Sequence, residues 1–169
     1  MRFTAVALLL FFSAGNIFAL GEGTMKITSP EFENNKSIPS QFTCEGKDIN
    51  PVLEISGIPA EAQELALIVD DPDAPMGTWV HWVVYNIPIG SRIGEDSVPG
   101  TQGINTANEK SYHGPCPPPG KQHRYFFKLY ALDKKLNLKE GLSKGALEKA
   151  MQGHIVDKAE LVGLYKRTR

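Results

Sequence analysis

The amino-acid sequence predicts a mainly β protein with few helices, and two observations carry that prediction. The 169 residues include 16 Gly and 12 Pro but only 9% aromatic residues, a composition that favours short strands joined by many turns. Continuous apolar runs of strand length are separated by proline-rich loops at 71–75 and 114–120. Together these patterns indicate mainly antiparallel sheets, with the proline-stiffened loops gathered at one end.

Two apolar runs predict buried strands in the first half of the chain. The run 65–69 lies between Gln63-Glu64 and Asp70-Asp71, and its unbroken apolar character is typical of a strand covered on both faces. The run 79–87 stops at Pro88, which cannot donate a hydrogen bond to a sheet. We therefore expect both strands to lie in the interior of the protein.

A third strand is predicted over 124–132, and a closing strand over 160–165. The alternation of side chains along a strand gives 124–132 two faces. One face carries Phe126, Lys128, Tyr130 and Leu132, and the other carries Tyr125, Phe127, Leu129 and Ala131.

A single helix is predicted near the C-terminus. Ser143 can cap its start, and Gly153 can end it in the left-handed conformation. Leu147, Ala150 and Met151 fall on one face at helical spacing, which is typical of an amphipathic helix.

The first 19 residues have the pattern of a secretory signal peptide. Arg2 precedes an uncharged run over 5–12, and small residues follow up to Ala19. The run is shorter than the roughly 20 residues that span a bilayer. We expect cleavage between 19 and 23, which leaves 20–169 as one exported domain in the periplasm or outside the cell; an uncleaved N-terminal anchor is the alternative.

The charge balance excludes ligands held by a broad electrostatic field. The formal net charge is −1, from 18 basic and 19 acidic residues, and removal of Arg2 with the leader makes it −2. We therefore expect no nucleic-acid partner and no stable membrane insertion after cleavage. Any anion must be held by a local site.

Export affects the interpretation of the two cysteines, Cys44 and Cys116, because thiols tend to pair in oxidising compartments. A bridge closing a loop of roughly seventy residues would stabilise the fold by about 4 kcal/mol. Two buried free thiols are the alternative that the spacing leaves open.

Two residues near the start of the second predicted strand, Trp79 and His81, are candidates for a functional site. The two-residue spacing predicts that both side chains lie on one face of the strand. The same alternation predicts that Val80 and Trp82 point away from that face.

The neighbouring strands supply further polar groups at their ends. Asp71 and Asp73 follow the first strand, and His123 and Tyr125 begin the third with the same two-residue spacing. Arg124 is expected on the opposite side. We expect these groups to converge beside the second proline loop.

Two imidazoles, a phenol and loop amides are the donors that phosphate oxygens require. Gly114 lets the loop approach closely, and Trp79 can wall the pocket. Since an ionised carboxylate repels phosphate, Asp71 is expected to orient a histidine or to meet a protonated oxygen of the ligand. His113 and His154 are interpreted as a flanking loop residue and a helix-end residue.

The motifs resemble the phosphatidylethanolamine-binding protein family, and most closely its prokaryotic Raf kinase inhibitor-like branch, often labelled YbhB/YbcL. The resemblance extends from about residue 28 to residue 165. It is carried by Cys44-Glu-Gly-Lys-Asp48-Ile-Asn-Pro51, Asp71-Pro-Asp-Ala-Pro75, Trp79-Val-His81, Gly114-Pro-Cys-Pro-Pro and His123-Arg-Tyr125.

This resemblance implies two antiparallel sheets with short peripheral helices around a small anion pocket, without an established reaction. It also implies a cis peptide before Pro75 and a Cys44–Cys116 disulfide. The sequence departs from the family's eukaryotic members, which have a long C-terminal helix, because a strand is predicted there instead. The residues implied for the pocket are Asp71, Asp73, Pro75, Trp79, His81, Gly114, Pro115, Pro117, His123 and Tyr125.

The sequence therefore predicts an exported protein that binds a small phosphorylated or other anionic ligand, without a cofactor or a bound metal, as a monomer or homodimer. It is expected to regulate or inhibit a partner rather than to act as an enzyme. One alternative is a protease or kinase inhibitor without a physiological small ligand. The others are a metal-dependent phosphoesterase using Asp70, Asp71, Asp73 and His81, and a serine hydrolase built on the Gly141-Leu-Ser-Lys-Gly145 match to a nucleophile elbow.

Overall fold

The computed structural model describes residues 25–167, so the predicted leader lies outside the described residues. Within that range, nine strands form a three-stranded and a six-stranded sheet. No helix in this part of the chain has the length and hydrophobicity needed to cross a bilayer. The predicted mainly β fold of two sheets is confirmed.

The bounds of the elements follow the apolar runs of the sequence. The strands are β1 (Lys26–Thr28), β2 (Lys36–Ser37), β3 (Leu53–Ser56), β4 (Glu64–Asp71), β5 (Trp79–Ile87), β6 (Arg92–Ile93), β7 (Thr101–Gln102), β8 (Gln122–Leu132) and β9 (Ile155–Lys166). A short 3₁₀ helix covers Ser40–Phe42, and α1 covers Lys144–Met151. The closing strand is thus twice as long as the predicted 160–165.

The six-stranded sheet has the order β2-β9-β8-β4-β5-β7, and the smaller sheet has the order β1-β3-β6. Each pairing in both sheets is antiparallel except that of β2 with β9. Since β4 lies between β5 and β8, the three strands that carry the predicted polar residues are neighbours. The polar residues at the adjoining ends of these three strands therefore lie close together.

The larger core lies between the two sheets, where Ile27, Leu53 and Ile55 of the small sheet pack against Leu67 and Phe127 of the large one. All eight residues of β4 are buried, which confirms the strand covered on both faces.

The other face of the large sheet is covered by α1 and the chain that precedes it. Leu147 and Met151 pack with Ile68 and Tyr85. Ser143 Oγ accepts a hydrogen bond from the Ala146 N–H at 3.3 Å, as predicted for a capping residue. The segment before Ser143 is loop rather than strand, so the context of a nucleophile elbow is absent.

A β-bulge interrupts the pairing of β4 with β5 at His81. Val69 pairs with Trp82 and Asp70 with Val80, which leaves His81 as the extra residue. The prediction that Trp82 points away from the site was therefore wrong: Trp82 packs in the core between the sheets, on the side that also holds Tyr125. The bulge breaks the simple alternation on which that prediction relied.

Two further expectations concern covalent geometry. Cys44 and Cys116 form a disulfide with their Cα atoms 5.5 Å apart, as the resemblance implied. The implied cis peptide before Pro75 was wrong, because all peptide bonds over residues 25–167 are trans.

Candidate functional site

A cavity of about 180 Å³ lies where β4 ends and where β5 and β8 begin. One water molecule needs only roughly 10–15 Å³ of such volume, so the cavity has room for a small polyatomic ligand. Its walls are formed by Asp71, Ala74, Pro75, Trp79, His81, His113, Gly114, Cys116, Pro117, Pro118, His123 and Tyr125.

Asp71 closes the floor of the cavity, and both of its carboxylate oxygens are occupied. Oδ1 accepts the backbone N–H of Asp73 at 2.8 Å, which stabilises the turn through Pro72. Oδ2 lies 2.7 Å from Nδ1 of His123. The carboxylate therefore orients the imidazole, and its negative charge is directed at the ring.

His123 is held by β8, where it lies opposite Tyr165 of β9. The side chain is 1% exposed. Because Asp71 takes Nδ1, the second nitrogen, Nε2, is the free one, and it has no hydrogen-bond partner among residues 25–167. A buried polar atom without a partner is uncommon, and here it belongs to a residue of the cavity wall.

Tyr125 presents a second such atom. Its hydroxyl is buried and has no partner within the described range. Burial, with the nearby charge of Asp71, raises the pKa of the Tyr125 phenol far above its ordinary value. The phenol therefore keeps its proton and can donate it to a ligand.

His81 is fixed by a reciprocal contact with His113. The His113 N–H donates to the His81 carbonyl oxygen at 3.0 Å, and His81 Nδ1 lies 2.7 Å from the His113 carbonyl oxygen. Burial lowers the pKa of the His81 imidazole. Burial thus favours the neutral form of His81, and its ring packs edge-on against that of Tyr125 with the ring centroids 5.2 Å apart.

The outer wall is the loop 113–118, which lies close to the chain around residue 42. A Cβ on Gly114 would overlap the carbonyl oxygen of Phe42 and the carboxylate of Asp48. The Gly114 N–H donates to Asp48 Oδ1 at 2.6 Å. Proline lacks an N–H, so Cys116 has the sole backbone N–H between residues 114 and 120.

Eight of the ten predicted ligand-binding residues line the cavity. These are Asp71, Pro75, Trp79, His81, Gly114, Pro117, His123 and Tyr125. The other two face elsewhere. Pro115 contributes its carbonyl oxygen to the Cys44 N–H at 3.3 Å.

Asp73 is directed away from the cavity by Arg124. The guanidinium donates from Nε and Nη2 to the two oxygens of Asp73, at 2.8 and 2.7 Å. These hydrogen bonds lower the pKa of Asp73 to about 2. Asp73 is therefore not among the lining residues of the cavity: it is a partner of Arg124, which lies on the side that was predicted.

Four lining residues are absent from the predicted set, namely Ala74, His113, Cys116 and Pro118. His113 matters most, because it fixes His81 and its own Nε2 lies 2.9 Å from Glu109. Its position directly before Gly114 in the proline loop was the signal that could have identified it.

Asp70 lies on the face of β4 opposite to Asp71. Its buried carboxylate is bound by Lys128 at 2.8 Å and by Lys144 at 2.6 Å. Among residues 25–167, no three His, Cys, Asp or Glu side chains are grouped in a way that could hold a metal ion. Asp70 and Asp71 are thus engaged by different partners on opposite faces of β4.

Comparison with protein families gives one match over most of the chain. Residues 28–166 match the family described as phosphatidylethanolamine-binding protein. That span includes every residue of the cavity wall.

Similar proteins are found in archaea and bacteria. A UPF0098 protein of Methanothermobacter thermautotrophicus is 47% identical over 151 residues, which cover 85% of this chain and 99% of the relative. A crystal structure of a phosphatidylethanolamine-binding protein homologue from Chlamydia trachomatis is 43% identical, with a TM-score of 0.83 over 86% of this chain and 99% of that one. The structure of E. coli YbcL is 28% identical, with a TM-score of 0.79 over the same shares.

Proposed function

The chain belongs to the phosphatidylethanolamine-binding protein family, and from this premise we propose that it binds a phosphate-type anion in the cavity around His123. One observation carries the proposal: among residues 25–167, His123 Nε2 and the Tyr125 hydroxyl are buried polar atoms without partners, and both residues line the same cavity. Polar atoms withdrawn from water normally have a partner. A bound oxyanion satisfies both.

The charges around the cavity favour an anion once His123 is protonated. Asp71 stabilises the imidazolium from the Nδ1 side, and Nε2–H then becomes a charge-assisted donor. Tyr125 adds a neutral O–H donor. The carboxylates do not oppose the ligand directly, because Asp71 is engaged by His123 and Asp73 by Arg124.

Binding is proposed rather than covalent chemistry. The lining residues include no serine, threonine or free thiol, and Cys116 is held in the disulfide. A hydroxyl or thiol nucleophile requires such a group beside its base, and the carboxylate of the wall, Asp71, is engaged by His123. Regulation of a partner through the occupied or empty cavity is the role we propose for binding.

A second candidate function is the docking of a partner protein on the cavity rim. Met76 is fully exposed and Trp79 is 38% exposed, on the loop and strand end that border the cavity. The proline-rich loops limit the conformational freedom that docking would remove. This candidate extends the inhibitor hypothesis and does not need a small ligand.

We further propose that the protein is exported. The pattern of residues 1–19 is that of a leader, and the bridge between Cys44 and Cys116 suits an oxidising compartment. Mass spectrometry of the mature protein from the periplasm or medium should show an N-terminus between residues 20 and 24 and an intact bridge. An N-terminus at Met1 in the cell fraction would contradict export.

Titration with inorganic phosphate, followed by NMR, tests the binding proposal. The imidazole signals of His81 and His123 should shift together, whereas those of His154 should not, because His154 lies on Asp133 outside the cavity. His123→Gln should lose phosphate binding. His154→Gln is the matched control and should keep it. If phosphate and phosphorylated small molecules move neither cavity histidine, the proposal fails.

A further inference from the structure

His81 is held in one tautomer by the group opposite its ring. Nδ1 lies 2.7 Å from the carbonyl oxygen of His113, and a carbonyl oxygen can only accept a hydrogen bond. Nδ1 therefore carries the ring proton. Burial lowers the pKa of the imidazole, and in the neutral ring the other nitrogen, Nε2, has a lone pair and no proton.

That lone pair is available to a ligand. His81 is 4% exposed and lines the cavity. The contact with His113 is made by Nδ1, so Nε2 is the ring nitrogen that a ligand in the cavity can reach. A ligand oxygen without a proton would be repelled by Nε2, because both atoms present a lone pair. A ligand O–H would instead donate a hydrogen bond to Nε2.

Three polar groups of the wall thus present a mixed pattern to a ligand. Tyr125 donates, protonated His123 donates, and His81 accepts. An oxyanion that satisfies all three needs two bare oxygens and one oxygen that carries a proton. A singly protonated phosphate monoester has this arrangement, and a sulfate ester does not.

We infer that the cavity selects oxyanions that keep a proton on one oxygen, so that inorganic phosphate and phosphate monoesters bind in preference to sulfate esters and phosphodiesters. His81 is the residue that determines this specificity. The inference rests on the proposed function, since it names the ligand class of the same cavity.

Methyl phosphate and methyl sulfate form a matched pair of probes. Near a pH of about 5.5, methyl phosphate is mainly a monoanion with one O–H, because the second pKa of a phosphate monoester is about 6. Methyl sulfate is a monoanion of similar shape without an O–H. Their difference in affinity therefore reports the ligand proton rather than ligand charge.

Calorimetric titration of the full mature chain should show methyl phosphate binding at least about tenfold more tightly than methyl sulfate, the ratio expected for one lost hydrogen bond to a charged ligand. Equal affinities would overturn this inference and leave the proposed function standing. If neither probe binds, both are overturned.

Nitrogen NMR of the imidazoles gives a second, independent measurement. The free protein should show His81 protonated on Nδ1, and its Nε2 signal should move with methyl phosphate but not with methyl sulfate. A His81 ring protonated on Nε2 in the free protein would overturn the inference.

His81→Gln changes the acceptor into an amide that can either donate or accept. The ratio of the two affinities should fall to within about twofold, while His154→Gln should keep the wild-type ratio. A His81→Gln protein that binds methyl phosphate and still rejects methyl sulfate would overturn the role of His81. The wild-type ratio and the nitrogen spectra decide the question even if this variant does not fold.

Discussion

The carboxylate of Asp71 lies 2.7 Å from Nδ1 of His123, and both side chains are withdrawn from solvent. Two residues further along the chain, Asp73 makes an ion pair with Arg124 on the outer surface. The two pairs involve the same loop and strand but differ in burial. They therefore allow the contribution of a buried pair to be compared with that of an exposed one.

Asp71→Ala should lower the free energy of unfolding by roughly 3–5 kcal/mol, because it leaves His123 buried without its partner. Asp73→Ala should have a much smaller effect, since solvent screens the pair with Arg124. Urea unfolding of the two variants measures the difference. Phosphate affinity should fall sharply for Asp71→Ala alone; equal losses of stability would contradict the distinction.

The stability of the protein should decrease in acid partly because of His81. Its folded pKa is lowered by burial, whereas the unfolded ring titrates near about 6.5. As the pH falls, the unfolded state therefore binds a proton at His81 more readily than the folded state does. The stability that the neutral ring contributes above about pH 6.5 is lost as the pH falls.

His81→Asn should reduce this acid dependence, because Asn keeps a donor for the His113 carbonyl group but does not titrate. Urea midpoints at several pH values for wild type, His81→Asn and the control His154→Asn provide the measurement. The slope should become shallower for His81→Asn relative to that control. An unchanged slope would show that His81 is not the acid-sensitive group.

Gly114→Ala should displace the outer wall of the cavity. The added Cβ meets backbone atoms of Phe42 and Thr43 and the carboxylate of Asp48, so the loop cannot keep its position. Both the melting temperature and the phosphate affinity should fall.

Gly145→Ala is the matched control for Gly114→Ala. A Cβ at Gly145 has no atom within 4 Å, and the residue lies in the first turn of α1, where Ala is favoured over Gly by up to about 1 kcal/mol. Its melting temperature should rise and its phosphate affinity should stay the same. If Gly114→Ala behaved like Gly145→Ala, the close approach of the loop would have no energetic consequence.

Removal of the disulfide should affect stability and binding together. Cys44 and Cys116 are 72 residues apart in the chain, and a loop of that size corresponds to about 4 kcal/mol in the chain-entropy account. Cys116 also lines the cavity. A Cys44→Ser, Cys116→Ser protein should therefore unfold at lower urea and bind phosphate more weakly. A reductant should reproduce this in wild type and leave the double variant unchanged.

The strands and the helix were predictable because their signals are local. The apolar run 65–69 needs only its own side chains and its charged borders to indicate a buried strand, and the structure places it in β4. The segment 79–87 was predicted with the bounds that β5 has. Ser143 was identified as a helix cap because the capping geometry depends on the next three residues alone.

The candidate site was predictable to the extent that its residues stand at strand ends. Asp71, His81, His123 and Tyr125 were placed together correctly, because their strands proved to be neighbours. The preference of Asp73 for Arg124 over the cavity was not predictable, since it depends on the antiparallel pairing of β4 with β8. That pairing joins residues far apart in the chain.

The sequence by itself determined that this protein is mainly β, and it determined which polar side chains stand beside the proline loops. Only the tertiary structure decided what those side chains do. His81 is the extra residue of a β-bulge, and the carbonyl group of His113 engages its Nδ1, so Nε2 is the ring nitrogen that can accept a hydrogen bond from a ligand. The burial of His123 and Tyr125 leaves two polar atoms without partners among residues 25–167. Alternation and capping act between near neighbours, whereas strand register, burial and tautomer arise when distant segments pack together.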